Sequence, residues 1–341
     1  MELENPLFRA AAWAAASSLV LGQVQTAAAY QTYGVRVAGQ VIALEWGALP
    51  VRYSVTDRGV PGVSSNAFRD AAGRAFASWQ KVPGAAVSAE FAGFTSAEPG
   101  DDDGTSTLGF RSRPDLDRVL GATDFVIDLA TGRIVESDIF FNSEFTWSVA
   151  DAGESGRFDL ESIILHETGH LFGLGHSALG ETELRAGGGR RVIAAEAVMF
   201  PIAFSAGDVT GRTPRADDVA GLSDLYPKGG VRDSTGSLTG RVTMNGKGVV
   251  GAHVVAFNPR TGKLVGNFTV NDEGAFAIAS LDPGPYVVRV EPIDDADLDS
   301  YFNDDTIARI DLGFKVTYAR QLVVVPSGGS SLPIEIKVDS K

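Results

Sequence analysis

The chain has 341 residues, enough for two domains of ordinary size. It carries a formal charge of −14 and no cysteine. The charge argues against nucleic acid or an anionic membrane as partner, and the missing cysteine excludes disulfides, thiolate metal sites and a thiol nucleophile. No apolar run of membrane-spanning length occurs beyond the first thirty residues.

Residues 1–29 read as a processing segment. Arg9 precedes the alanine-rich run Ala10–Leu21, and Ala27-Ala28-Ala29 offers a small-residue cleavage site. A signal peptide is expected, and with it a secreted or cell-surface protein, bacterial in origin. The folded part should begin near Gly34. Val35–Val37 and Val51–Val55 read as strands. Ser64 or Ser65 can cap a helix that carries Phe68, Ala71, Ala72, Ala75, Phe76 and Trp79 on one face. Val87–Phe91 is a further short strand. Asp101-Asp102-Asp103-Gly104-Thr105 reads as a solvated acidic loop. Val119–Leu129 and Ile134–Phe141 are strands around a Thr131-Gly132 turn. This order of elements predicts an α+β domain with a mixed sheet.

The chemistry concentrates in His166-Glu167-Thr168-Gly169-His170-Leu171-Phe172-Gly173-Leu174-Gly175-His176. Two histidines four apart share one face of a helix, so both imidazoles can reach one metal ion. Asp159 can cap that helix, Phe158 can staple it, and Leu160, Ile163, Ile164 and Leu171 can bury its other side. Gly173 permits the sharp turn that returns His176 to the same ion. Three neutral histidines with one open position suit a catalytic zinc, at about 2.0–2.1 Å from each nitrogen. Glu167 stands beside the metal without having to bind it, placed to take a proton from an activated water. The chain has four histidines in all, and three fall here.

Ser177–Arg191 is polar and glycine-rich and reads as a loop near the cleft. Thr213-Pro214 starts a helix that carries Val219, Leu222 and Leu225 and ends near Tyr226-Pro227. Residues 34–228 thus form one expected domain, 229–235 a linker and 236–339 a second domain. The second shows about seven short strands between turns, at Ser237–Thr243, Ala252–Phe257, Leu264–Val270, Ala275–Ile278, Tyr286–Val290, Gln321–Val325 and Leu332–Val338. That pattern suits an all-β sandwich. His253 reads as a lone packed or exposed histidine, and Asp294–Asp297 with Asp304-Asp305 as a solvated acidic loop.

The long histidine motif resembles that of the metzincin zinc proteases, and among them the matrixin-like peptidases. Ser177 directly after His176 fits, as do Met199-Phe200-Pro201, Asp217–Leu222 with Leu225-Tyr226, and Asp138–Asn142 with Glu144 and Trp147. The resemblance implies a zinc-dependent metalloendopeptidase with one catalytic zinc on His166, His170 and His176 and with Glu167 as general base. It implies a Met-turn at Met199 that floors the metal without ligating it. An extended protein or peptide substrate would pair with an edge strand at Leu120, Gly121, Ala122, Thr123, Asp124 and Phe125. Asn142 and Glu144 stand at a family calcium position, with asparagine replacing aspartate, so they are calcium candidates. Phe140 stands where a histidine would hold the family's second, structural zinc, and that zinc is expected to be absent. Cysteine-based latency cannot operate. The second domain resembles a carboxypeptidase regulatory-like, or transthyretin-like, sandwich through Gly240-Arg241-Val242, Asp272–Phe276 and Leu281–Tyr286.

The expected fold is therefore a metzincin-like α+β domain, with a mixed, mostly parallel twisted sheet and an active-site helix, followed by a β-sandwich. The chain is expected to act as a monomer. The competing expectation is a catalytically weak surface or matrix-binding adhesion protein that keeps the scaffold.

Overall fold

The computed structural model describes residues 7–10, 21–23, 31–37, 40–128, 130–186 and 189–341. Most of the expected processing segment lies outside the described residues. The first domain is a mixed α/β unit with few helices. Its main sheet runs in the order Leu7–Ala10, Gly121–Asp128, Arg133–Asn142, Ser106–Arg111, Val51–Thr56, Ala89–Thr95. Val51–Thr56 pairs in parallel with both of its neighbours, and Ser106–Arg111 in parallel with Arg133–Asn142. Gly121–Asp128 alone runs antiparallel to the strand beside it, Arg133–Asn142. Its outer side is paired, in parallel register, by Leu7–Ala10. The strand expected to present an open edge is therefore covered by the chain's own backbone.

Ser106–Arg111 has no counterpart in the sequence reading. It is short, and its Gly109 weakens the strand signal. A Cβ there would lie 2.5 Å from Thr56 Cγ2, so the position demands glycine for packing and not for a turn.

The helix Ser65–Gln80 is capped by the Ser64 side chain and buries the predicted apolar stripe against the sheet. Each fully buried large side chain of this kind contributes about 1.5–3 kcal/mol. Its Trp79 indole donates to Leu165 O (3.0 Å) and Thr168 Oγ1 (3.1 Å) of the second helix, Leu160–Leu171. That helix is buried on nearly every side, not on one stripe, because the sheet and the first helix both pack against it. Asp159 caps it through Ser162 N (3.0 Å) and is held by Arg212 at 2.6 Å.

Two expectations need correction. The stretch Ser177–Arg191, expected as a loop, contributes to a β-hairpin of Gly180–Leu184 and Arg190–Ala195. The helix expected from Pro214 begins at Ala216, where the Asp218 side chain reaches back to Arg215 N.

The second domain is β-rich. One sheet centres on Gly236–Met244, the other on His253–Phe257 and Gly284–Glu291, with Leu238, Val254, Ile278 and Val288 between them. The two domains are not joined by the linker alone. Phe200 and Ile202 of the first pack into one buried cluster with Phe268, Ile293, Tyr301 and Phe302 of the second. The acidic loop is likewise tied down, since Asp295 accepts from Thr182 N of the hairpin at 2.6 Å. Among the described residues, no helix is long and apolar enough to cross a membrane.

Candidate metal centre

His166 and His170 project from one face of the Leu160–Leu171 helix. Gly173 then turns the chain with φ +94, and a Cβ there would strike Leu44 O at 2.2 Å. The turn is held from the N-terminal side: Tyr33 N donates to Gly173 O (3.0 Å) and Gly175 N to Gln31 O (2.7 Å). His176 thereby joins the other two, and one nitrogen from each imidazole lies within 4.8 Å of the others.

The hydrogen bonds fix how the rings present themselves. His166 Nδ1 is 2.8 Å from Val198 O, His170 Nδ1 2.8 Å from Leu174 O, and His176 Nδ1 2.6 Å from Ser300 O. A carbonyl can only accept, so each Nδ1 carries the proton and each Nε2 turns a lone pair inward. Among the described residues His166 Nε2 has no hydrogen-bond partner, and His170 Nε2 stands 3.1 Å from His176 Nε2. Inward lone pairs at that spacing repel unless a cation lies among them. Burial, reinforced by the neighbouring His176, pushes the His166 pKa down to about 3; burial pushes His176 down to about 4 and His170 well below its usual value. The rings are held neutral, as metal ligands must be. This donor set fits zinc.

Glu167 faces the strand Gly121–Asp128. Its Oε2 accepts from Thr123 Oγ1 at 2.8 Å, and the carboxylate is shielded from solvent. Leu120–Phe125 thus does more than offer backbone, since Thr123 turns its side chain inward. Gly121 sits where a Cβ would come 3.3 Å from Glu167. Met199 lies beneath the helix, and Gly169 makes room for it: a Cβ at 169 would stand 2.3 Å from Met199 Sδ. Asp218 holds that turn through Val198 N (2.8 Å) and Met199 N (3.1 Å).

Residues 45–184 match the matrixin family description, and residues 237–294 match the carboxypeptidase regulatory-like domain. This chain combines a matrixin domain with a carboxypeptidase regulatory-like domain. The matrixin match includes the three histidines and Glu167 and ends before Met199. A curated relative, the Arabidopsis thaliana metalloendoproteinase 5-MMP, is 37% identical over 83 residues, which are 24% of this chain and 18% of that protein. The chain thus spans less than a fifth of that relative's length. A solved structure of the Bacillus anthracis TIE protein aligns over 31% of this chain and 17% of its own, at 18% identity and a TM-score of 0.21, too distant to inform the fold.

The calcium candidates Asn142 and Glu144 both take part in hydrogen bonds within the protein. Asn142 Nδ2 donates to the carbonyls of Arg113 (3.0 Å), Leu116 (3.0 Å) and Val119 (3.2 Å). Its Oδ1 accepts from Arg113 N and Glu144 N, both at 3.2 Å. The amide is thus engaged through both its nitrogen and its oxygen by neighbouring backbone. Glu144 points away, to Ser112 Oγ at 2.5 Å. Phe140 is buried, with the Arg113 guanidinium 5.5 Å over its ring.

Sequence reasoning missed three contributors to the site. Thr123 was read only as edge backbone, although its hydroxyl is the side-chain donor to Glu167. Tyr33, with its ring 5.5 Å from that of His170, carries no motif. The Ser300 carbonyl belongs to the other domain and has no side-chain signature at all.

Proposed function

We propose that this chain is a zinc-dependent metalloendopeptidase, with 34–228 as the catalytic domain and 236–339 as an accessory sandwich. The observation that carries the reading is the convergence of three inward Nε2 atoms beside a carboxylate held in place by a neighbouring strand. Bound zinc would supply Lewis-acid chemistry, acidifying water and polarising a carbonyl. His166, His170 and His176 would hold it. Glu167 would accept the proton of the attacking water and return it to the leaving amine. Met199 would support the ligand helix from below. The substrate would be an extended peptide on the Leu120–Phe125 strand, which requires Leu7–Ala10 to leave that edge. An apolar pocket beside His166, lined by Ile163, Val198, Ile202 and Phe204, would take one side chain next to the scissile bond. Phe200 offers no hydroxyl to a developing oxyanion. Secretion, bacterial origin and a monomeric state belong to the same proposal.

One observation favours the adhesion reading, in which both domains bind and catalysis is weak: all three histidines and Glu167 are buried. Cleavage of a mixed peptide library by the zinc-supplied chain and by Glu167→Ala, with bound zinc counted in both, separates the two. About one zinc per chain, with internal bonds cut only by the parent, supports the endopeptidase. One zinc without cutting supports the binding protein. A folded chain that takes up no zinc ends the catalytic reading.

A further inference from the structure

The acceptors of the three Nδ1–H groups differ in origin. Val198 O and Leu174 O belong to the matrixin domain, the second from the same turn as its histidine. Ser300 O lies 124 residues away from His176 in sequence, beyond the segment that matches the regulatory-like family.

Ser300 is the last residue of a single 3₁₀ turn, Leu298–Ser300. Carbonyls at such an end lack a partner within the turn and look for one outside it. Here the carbonyl meets an imidazole. The turn is fixed on several sides. Its own amides close it, with Ser300 N donating to Asp297 O (3.1 Å) and Tyr301 N to Leu298 O (3.0 Å). Tyr301 is fully buried, with its ring 5.5 Å from Phe268 and in one cluster with Phe200 and Ile202, the residues that follow Met199. Gln31 Nε2 donates to Tyr301 O, and Arg190 Nη1 donates to Asp294 O at 2.8 Å. The hairpin that follows His176 and the segment at Gln31 both grip the loop that carries Ser300.

We propose that the backbone carbonyl of Ser300 is a positioning group for the metal centre, so that the second domain completes the zinc site of the first. It fixes His176 as the Nδ1–H tautomer and aims Nε2 at the metal. His176 needs this more than the other two ligands, because it follows a glycine turn and stands on no helix. Outer acceptors of this kind raise ligand basicity, and their loss costs about 10–100-fold in metal affinity. The accessory domain is on this account part of the metal site, and the two domains should not function when separated.

The inference rests on the zinc reading above, and its test separates the two. Imidazole 15N spectra of the zinc-loaded full chain should show His176 bound through Nε2, with a slowly exchanging proton on Nδ1. An ester at Asp299–Ser300 removes only the Ser300 N–H bond to Asp297 O, keeps the Ser300 carbonyl an amide, and should leave zinc affinity at the parent value. Replacing the Ser300–Tyr301 amide by an ester removes the similar Tyr301 N–H bond to Leu298 O, weakens the Ser300 carbonyl as an acceptor as well, and keeps every side chain. It should lower zinc affinity at least tenfold in chelator competition and speed exchange of the His176 proton, leaving the His166 and His170 protons unchanged. Phe276→Ala, deep in the sandwich core, should move neither readout. Binding of His176 through Nδ1, or unaltered affinity and exchange in the Ser300–Tyr301 ester, overturns the proposal. If the parent binds no zinc, the zinc reading itself fails.

Discussion

Thr123 Oγ1 lies 2.8 Å from Glu167 Oε2 and 3.1 Å from the backbone oxygen of the same residue. One hydroxyl thus ties the edge strand to the group proposed as general base. Thr123→Val keeps the shape and removes the bond. Hydrogen bonds to charged groups are worth about 1.5–3 kcal/mol, so kcat/KM on a peptide should fall by roughly one to two powers of ten. Zinc content should stay at the parent value. Unchanged kinetics in a zinc-loaded variant would leave the hydroxyl with a packing role only.

The Asn142 amide donates to three backbone carbonyls. The parent should therefore be indifferent to calcium. Asn142→Asp places a carboxylate against those carbonyls with no donor between them. The variant should lose thermal stability in chelator and regain it with millimolar calcium, which takes oxygen ligands of this kind. Scanning calorimetry with and without calcium checks this; equal melting of the variant in both conditions would refute it.

The parts of this molecule legible in the sequence are those whose chemistry is carried by side chains at fixed spacing. The motif helix, its Asp159 cap, the Gly173 turn and the Ser65–Gln80 stripe follow from local rules of capping, turning and periodicity. What escaped depends on distant partners. Ser106–Arg111 is a strand because Gly109 lets it approach Thr56. Asn142 could be read as a substitution, but not as a donor, because its three acceptors are backbone atoms of a neighbouring loop. The Ser300 carbonyl leaves no trace in side-chain pattern, and the hairpin after His176 is stabilised by Asp295 of the other domain.

Asp217 joins the domains through its carboxyl. Ser177 Oγ donates to it at 2.6 Å and Gly266 N, from the second domain, at 2.8 Å. Burial raises its pKa to about 8 from an ordinary 3.8. The folded chain therefore keeps a proton that the unfolded chain releases near pH 4. The sign follows: stability from this group is fullest at low pH and declines as pH rises from about 4 to about 8. Asp217→Asn removes the titration and keeps an acceptor for Gly266 N. The stability difference between variant and parent, measured by urea unfolding in chelator, should grow in the variant's favour from pH 5 to pH 8. A difference that is flat across this range would count against the buried proton.

Tyr33 is 1% exposed, with its ring 5.5 Å from His170 and 6.0 Å from Phe125, so it spans the gap between the metal ligands and the edge strand. Burial and the negative Glu167 together hold its hydroxyl well above the usual phenol range, so it stays protonated at any working pH. Its backbone is anchored to Gly173 on one side and to Leu44 on the other. The side chain can therefore be trimmed without releasing the segment. Tyr33→Ala should open a path to the histidines. Zinc should be lost to a chelator several-fold faster than from the parent, and short peptides should be cut faster if access limits turnover. A large-to-small change at such a site costs about 3–5 kcal/mol of stability, so the comparison belongs well below the variant's melting temperature. Unchanged rates of zinc loss would mean that Tyr33 packs the site without closing it. A fall in peptide cleavage, at full zinc occupancy, would instead make the aromatic ring part of the substrate's own binding surface.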